Sequence, residues 1–174
     1  MFVVPEDTVR RLPASEGQVV GDFGCGTGAW ALSLSKLVGD AGHVYAFEVQ
    51  QNLLETLEKD AREKGITNIE TVWADLDEEE GSRLDRDSVD GVLIANALFQ
   101  FENKEAVIKE AYRVLRPGGW CAVIDWSESF GGLGPTTADV VSKDVARALC
   151  VNQSFVFNGE IETGEHHYGL IFKK

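Results

Sequence analysis

Val19-Val-Gly-Asp22-Phe-Gly24-Cys-Gly26-Thr-Gly28-Ala29 is the stretch of this 174-residue chain from which the fold can be read. Gln18 to Phe23 is a short apolar run that reads as a strand. Trp30 to Val38 then follows with helical periodicity and stops at Gly39. Between them lie three glycines at alternate positions. A glycine turn joining the C-terminal end of a strand to the start of a helix is where open α/β sheets bind ligands. The missing Cβ lets the chain turn tightly and lets a ligand reach the main chain. Taken alone the loop is ambiguous, because Gly24-x-Gly26-x-x-Ala29 also fits a dinucleotide fingerprint with pyrophosphate on the helix N-terminus.

On either side the same alternation repeats. Strands are predicted at His43–Glu48, Asn68–Trp73, Val89–Ala95 and Trp120–Asp125. Helices are predicted over Gln51–Lys64, over Lys104–Leu115, and around a stripe of Val141, Val145, Ala148 and Leu149. Phe155–Thr163 and His167–Phe172 flank Gly164-Glu165 and read as two strands joined by a tight turn, a terminal hairpin over 153–174. Residues 1–16 form a short N-terminal segment with a helix over Pro5–Leu12. About five βα units and a hairpin predict one doubly wound, Rossmann-like αβα domain over 1–174. The acidic run Asp75–Asp87 reads as a solvated loop.

Composition limits the function. Sixteen Lys and Arg against 29 Asp and Glu give a net charge of −13, a field that repels nucleic-acid phosphates and anionic lipid. Cys25, Cys121 and Cys150 form no CxxC, and three cysteines cannot all pair, which argues against a disulfide framework or a zinc site. No apolar run reaches the length of a membrane span and no signal-peptide pattern opens the chain. A soluble cytoplasmic protein with a small-molecule partner is expected. Monomer and homodimer both remain open.

Two carboxylates narrow the ligand. Asp22 precedes the glycine loop, where a negative charge suits a ligand carrying an ammonium and opposes a pyrophosphate. Glu48 ends the second strand, where a carboxylate can accept from ribose hydroxyls. At this point the sequence resembles the class I S-adenosylmethionine-dependent methyltransferases, in particular the small-molecule type of quinone biosynthesis. The resemblance runs from about Val19 to the end of the chain. It rests on Asp22-x-Gly24-x-Gly26-x-Gly28, on Glu48, on Ala74-Asp75, on the Asp90–Phe99 segment with Asn96, and on Leu115-Arg-Pro-Gly-Gly119. It implies a seven-stranded sheet in the order 3-2-1-4-5-7-6 with the seventh strand antiparallel. It also implies S-adenosyl-L-methionine as cofactor and S-adenosyl-L-homocysteine as product. The implied cofactor residues are Asp22, Gly24, Cys25, Gly26, Gly28, Glu48, Val49, Ala74, Asp75, Leu76, Asn96, Ala97 and Gln100.

For the acceptor side, Asp125 at the end of the fifth strand is the first candidate for taking a proton, and His167 on the hairpin is the second. Adjacent His166 and His167 point to opposite faces of a strand and so form no chelating pair. The acceptor pocket is expected to be shallow, completed by the Pro5–Leu12 helix, by the 127–139 loop or by a partner. Two other readings stay open: an NAD(P)-dependent oxidoreductase on the same fold, and a non-catalytic S-adenosylmethionine-binding protein.

Overall fold

A computed structural model describes residues 3–174. Met1 and Phe2 of the expected N-terminal segment lie outside the described residues. The elements follow in the order α1 (Pro5–Val9), β1 (Val19–Phe23), α2 (Ala29–Val38), β2 (His43–Glu48), α3 (Gln51–Glu63), β3 (Ile69–Trp73) and β4 (Val89–Ala95). After a 3-10 turn at Leu98–Gln100 come α4 (Lys104–Val114), β5 (Leu115–Trp126), α5 (Lys143–Asn152), β6 (Val156–Glu160) and β7 (His167–Lys173).

The seven strands form one sheet in the order β3-β2-β1-β4-β5-β7-β6. The pairings β3–β2, β2–β1, β1–β4 and β4–β5 are parallel. β7 runs antiparallel to both β5 and β6. Parallel neighbours need a crossover helix between them, and that crossover is what buries both faces of the sheet. Val20, Leu93, Ala122 and Ile124 pack with α1, α2 and α3 on one face. Val92, Ile94, Cys121, Val123, Leu170 and Phe172 pack with α4 and α5 on the other. The strand order reverses between β1 and β4, which opens a crevice at their C-terminal ends.

Several boundaries differ from the sequence expectation. β5 begins at Leu115, which pairs with Val89; the ladder then skips and resumes at Trp120 opposite Gly91. Leu115–Gly119 is thus a bulged entry to the strand rather than a separate turn. Gly91 is required there, since a Cβ would lie 2.1 Å from Cε2 of Trp120. α5 starts at Lys143 because the Ser142 side chain accepts from the Val145 N–H and caps it. The helix therefore buries Ala146 and Cys150, leaving Val145 52% exposed and Val141 buried ahead of the helix. The expected Val141-Val145-Ala148-Leu149 stripe was out of phase with the real helix. The β6–β7 connection is the six residues 161–166 rather than a two-residue turn. The N-terminal helix is a single short turn ending at Val9. Among the described residues no helix is long and apolar enough to cross a membrane.

Candidate cofactor-binding site

The crevice between β1 and β4 is a cleft of about 450 Å3, within the range of small-molecule sites. Eleven of the residues singled out from the sequence line it: Gly24, Cys25, Gly26, Glu48, Val49, Ala74, Asp75, Leu76, Asn96, Ala97 and Gln100. Asp22, Gly28, Asp125 and His167 do not.

The glycine loop is held from below and from the side. The N–H groups of Gly24 and Cys25 both donate to the Phe47 carbonyl, at 3.0 and 2.9 Å. Glu48 fixes it further: Oε2 accepts from the Gly26 N–H at 3.1 Å, and Oε1 accepts from the Val49 and Gln50 N–H groups at 2.9 and 3.0 Å. A carboxylate has about four lone-pair sites, so three backbone donors leave Glu48 a single one to offer a ligand, at Oε2. The loop glycines serve different ends. A Cβ on Gly28, whose φ is +87°, would lie 2.3 Å from Leu57 Cδ1, and one on Gly24 would lie 2.7 Å from Ala97 Cβ. A Cβ on Gly26 would meet nothing within 4 Å. Gly28 and Gly24 are thus packing glycines, whereas Gly26 borders open cleft.

Asp22 lies one layer beneath the cleft on β1, 1% exposed, with Oδ2 lacking any hydrogen-bond partner. Burial pushes its carboxyl up to about 7; the Ala31 N–H in the first turn of α2 pulls it down, and the nearby Glu48 charge adds a little upward. Asn96, at φ +53°, also buries an unpartnered oxygen, Oδ1. Buried polar atoms are nearly always paired, so two orphan acceptors in one neighbourhood mark a place built for a donor. The cleft lining also holds Glu48, Asp75 and Asp77 and no Lys, Arg or His. That set fits a ligand with a cationic, hydrogen-bond-donating end and opposes a pyrophosphate. Cys25 is no nucleophile: burial, with the Asp22 and Glu48 charges, drives its thiol far above the ordinary range.

Sequence reasoning missed two supports of the cleft. Asp77, read as part of a solvated acidic run, lines the cleft and accepts from the Glu102 and Asn103 N–H groups at 3.3 and 2.7 Å, joining the loop after β3 to the loop before α4. Its signal is diluted by the acidic residues that follow it. Trp73 donates from Nε1 to the Val49 carbonyl at 2.9 Å and braces the turn that carries Glu48. The acidic run is anchored as well, because Ser82 is buried and hydrogen-bonds Glu110, which also pairs with Arg113. Burial raises the Glu110 carboxyl, but bonds from Arg113 and Ser82 outweigh it and hold the group below its usual range.

Asp125 is 1% exposed, and its oxygens accept from the Phe99 N–H at 3.2 Å and the Trp126 N–H at 2.8 Å. It fixes the 3-10 turn behind the cleft. Burial raises its carboxyl to about 6 against those bonds. Alternation along β5 puts Asp125 on the α4–α5 face with Cys121 and Val123, away from Trp126. The rim position expected from the sequence is therefore right for its backbone and not for its side chain.

Residues 5–140 match the model of the ubiE/COQ5 methyltransferase family. The chain belongs to that family. Demethylmenaquinone methyltransferases of Geobacillus sp. and Oceanobacillus iheyensis are 28% and 30% identical to it over 123 residues. That aligned stretch is 71% of this chain but only about half the length of each relative, 51% and 50%. Among solved structures, a SAM-dependent methyltransferase from Aquifex aeolicus superposes with a TM-score of 0.89 at 24% identity, covering 99% of this chain and 90% of that one. A type 11 methyltransferase from Sulfolobus solfataricus, itself described as putative, gives 0.80 at 23% identity, covering 100% and 94%. The fold of this ubiE/COQ5-family chain is the one that the methyltransferase resemblance implies, down to the reversed seventh strand. The family is one of methyltransferases.

Proposed function

We propose that residues 1–174 act as one domain that transfers a methyl group from S-adenosylmethionine to a small, largely apolar acceptor of the quinol type. The observation that carries the cofactor assignment is the charge of the cleft: three carboxylates and two orphan buried acceptors, with no cation in the lining. The acceptor class is supported by the demethylmenaquinone methyltransferases that match this chain over part of their length. When bound, S-adenosylmethionine supplies a methyl group on a sulfonium. The chain's part is to bind, orient and keep water away. Gly26 leaves the main chain open to the ligand, and Glu48 offers Oε2 to a ribose hydroxyl while holding the loop. Asp22 and Asn96 take the donors of the amino-acid end, directly or through water. Asp75, whose Oδ1 already accepts from the Asp77 N–H, turns its other oxygen to the adenine amino group. Val49, Leu76 and Ala97 supply apolar walls. Holding donor and acceptor in line contributes up to about 7–11 kcal/mol in favourable cases, so such a displacement requires no protein nucleophile.

The test is calorimetric titration with S-adenosylmethionine, S-adenosylhomocysteine and NAD+, followed by a methylation assay on reduced 1,4-naphthoquinone. Both sulfur nucleosides should bind and NAD+ should not. Glu48→Ala should weaken S-adenosylhomocysteine binding at least tenfold, since charge-assisted bonds are worth about 1.5–3 kcal/mol each. Tight binding of NAD+ alone would reverse the assignment in favour of an oxidoreductase. Nucleoside binding with no methyl transfer to any acceptor would favour the non-catalytic reading.

A further inference from the structure

Of the two acceptor-side candidates, His167 lies against Trp126 and lines a hollow that shares no residue with the cofactor cleft. Asp125 reaches the cleft indirectly, through the backbone of residues 96–101. That segment gives the lining Asn96, Ala97, Gln100 and Phe101, yet its only regular structure is the 3-10 turn Leu98–Gln100. Its main-chain polar groups must find partners elsewhere. Two charged side chains supply them. Asp125 Oδ2 accepts from the Phe99 N–H at 3.2 Å. Lys104 Nζ donates to the Phe101 carbonyl at 2.6 Å and to the Phe99 carbonyl at 3.4 Å. Both main-chain polar groups of Phe99 are thus held by charges of opposite sign. Within the segment, Gln100 Nε2 donates to the Asn96 carbonyl at 2.9 Å, and the Asn96 N–H donates to the Ile124 carbonyl at 2.8 Å. The whole turn abuts the glycine loop, where a Cβ on Gly24 would lie 3.3 Å from Phe101 Cζ.

Both charges stand where local preference is against them. Asp125 ends the apolar run Trp120–Ile124 and is buried with it, a costly place for a carboxylate. Lys104 is the first residue of α4, where the helix dipole favours an acid and opposes a cation. Two breaches of local preference that converge on one turn mark a site requirement. We propose that Asp125 and Lys104 are positioning residues for the methyl donor: together they hold the 98–101 turn so that Asn96 and Gln100 stand at the S-adenosylmethionine site. The inference rests on the methyl-transfer reading above and deepens it. Neither side chain lines the cleft, so each acts through the turn. Apparent affinity scales with the fraction of molecules whose turn is in place. Removing either charge lowers that fraction without deleting a ligand contact.

The test is calorimetric titration of the full chain with S-adenosylhomocysteine, joined to amide hydrogen exchange. Lys104→Met keeps the aliphatic stem and removes the donor; affinity should fall at least fivefold. Lys104→Arg, which keeps a cationic donor, should recover most of that loss. Asp125→Asn, which keeps an oxygen acceptor, should lose less affinity than Asp125→Ala. In ligand-free Lys104→Met, exchange at the Phe99 and Gln100 amides should quicken at least tenfold, and saturation with S-adenosylhomocysteine should slow it again. Val114→Ala truncates the core at the far end of α4 and controls for lost stability; its affinity should stay within about twofold. Lys104 is only half-buried, so the Lys104 pair reports even if the Asp125 variants fail to fold. Unchanged affinity in Lys104→Met, equal losses in Lys104→Met and Lys104→Arg, or an equal loss in Val114→Ala each overturn the inference while leaving the cofactor reading intact. Failure of S-adenosylhomocysteine to bind the unchanged protein overturns the cofactor reading, and the inference with it.

Discussion

Asp22 carries the sharpest consequence of any single residue, because its carboxyl is fully buried, half unpartnered and raised from 3.8 to about 7. The folded protein holds that proton more tightly than the unfolded chain does. The stability associated with it is therefore complete below about pH 4 and is lost as pH rises through about 7. A shift of about 3 units corresponds to about 4 kcal/mol at 1.36 kcal/mol per unit. Urea unfolding of the ligand-free protein should show the unchanged chain losing up to that much, relative to Asp22→Asn, between about pH 4 and about pH 8. A difference that does not vary with pH would mean that Asp22 is already paired. A ligand ammonium favours the ionised carboxylate. Binding of S-adenosylhomocysteine near pH 6 should then expel close to one proton, read as a heat that changes with the ionisation enthalpy of the buffer, and Asp22→Asn should abolish that dependence.

Elements differ in how far they can be read from sequence. The β1–α2 turn was legible because strand period, glycine spacing and the following helix are all local signals, and they fix the cleft. The phase of α5 was not, since one capping serine shifts the first helical residue past Val141 and so rotates the buried face onto Ala146 and Cys150. The direction of Asp125 was not legible either, because a strand reverses its side chains at every step and the sequence does not reveal which face holds which helices. The same turn supports a contrast between two substitutions. Gly28→Ala should destabilise the fold by about 2–4 kcal/mol, combining an overpacked Leu57 contact with a left-handed backbone. Gly26→Val also puts a side chain on a left-handed backbone, at φ +54°, but without a clash, because a Cβ there meets open space; it should abolish S-adenosylhomocysteine binding. Thermal melts and titrations of the pair decide it: if Gly26→Val still binds the ligand, the ligand does not lie on that stretch of main chain.

At the scale of the molecule, a net charge of −13 surrounds a cleft that holds carboxylates and no cation. Long-range attraction between such a surface and a cationic ligand is screened over a Debye length of about 10 Å in 0.1 M salt. Raising sodium chloride from about 20 mM to about 500 mM should therefore weaken S-adenosylmethionine binding several-fold, chiefly through the association rate. S-adenosylhomocysteine, which lacks the sulfonium charge, should respond much less. Equal salt responses would locate the selectivity in short-range contacts alone. The strand order has a further consequence during synthesis. β6 leaves the ribosome before β7, yet β7 lies between β6 and the rest of the sheet. Until residues 167–173 emerge, β6 has no edge to join, and β5 presents an unpaired edge to any other chain within reach. The cleft between β1 and β4 can assemble earlier, so the nascent chain passes through a stage in which the ligand end is formed and the opposite end of the sheet is open to misassembly.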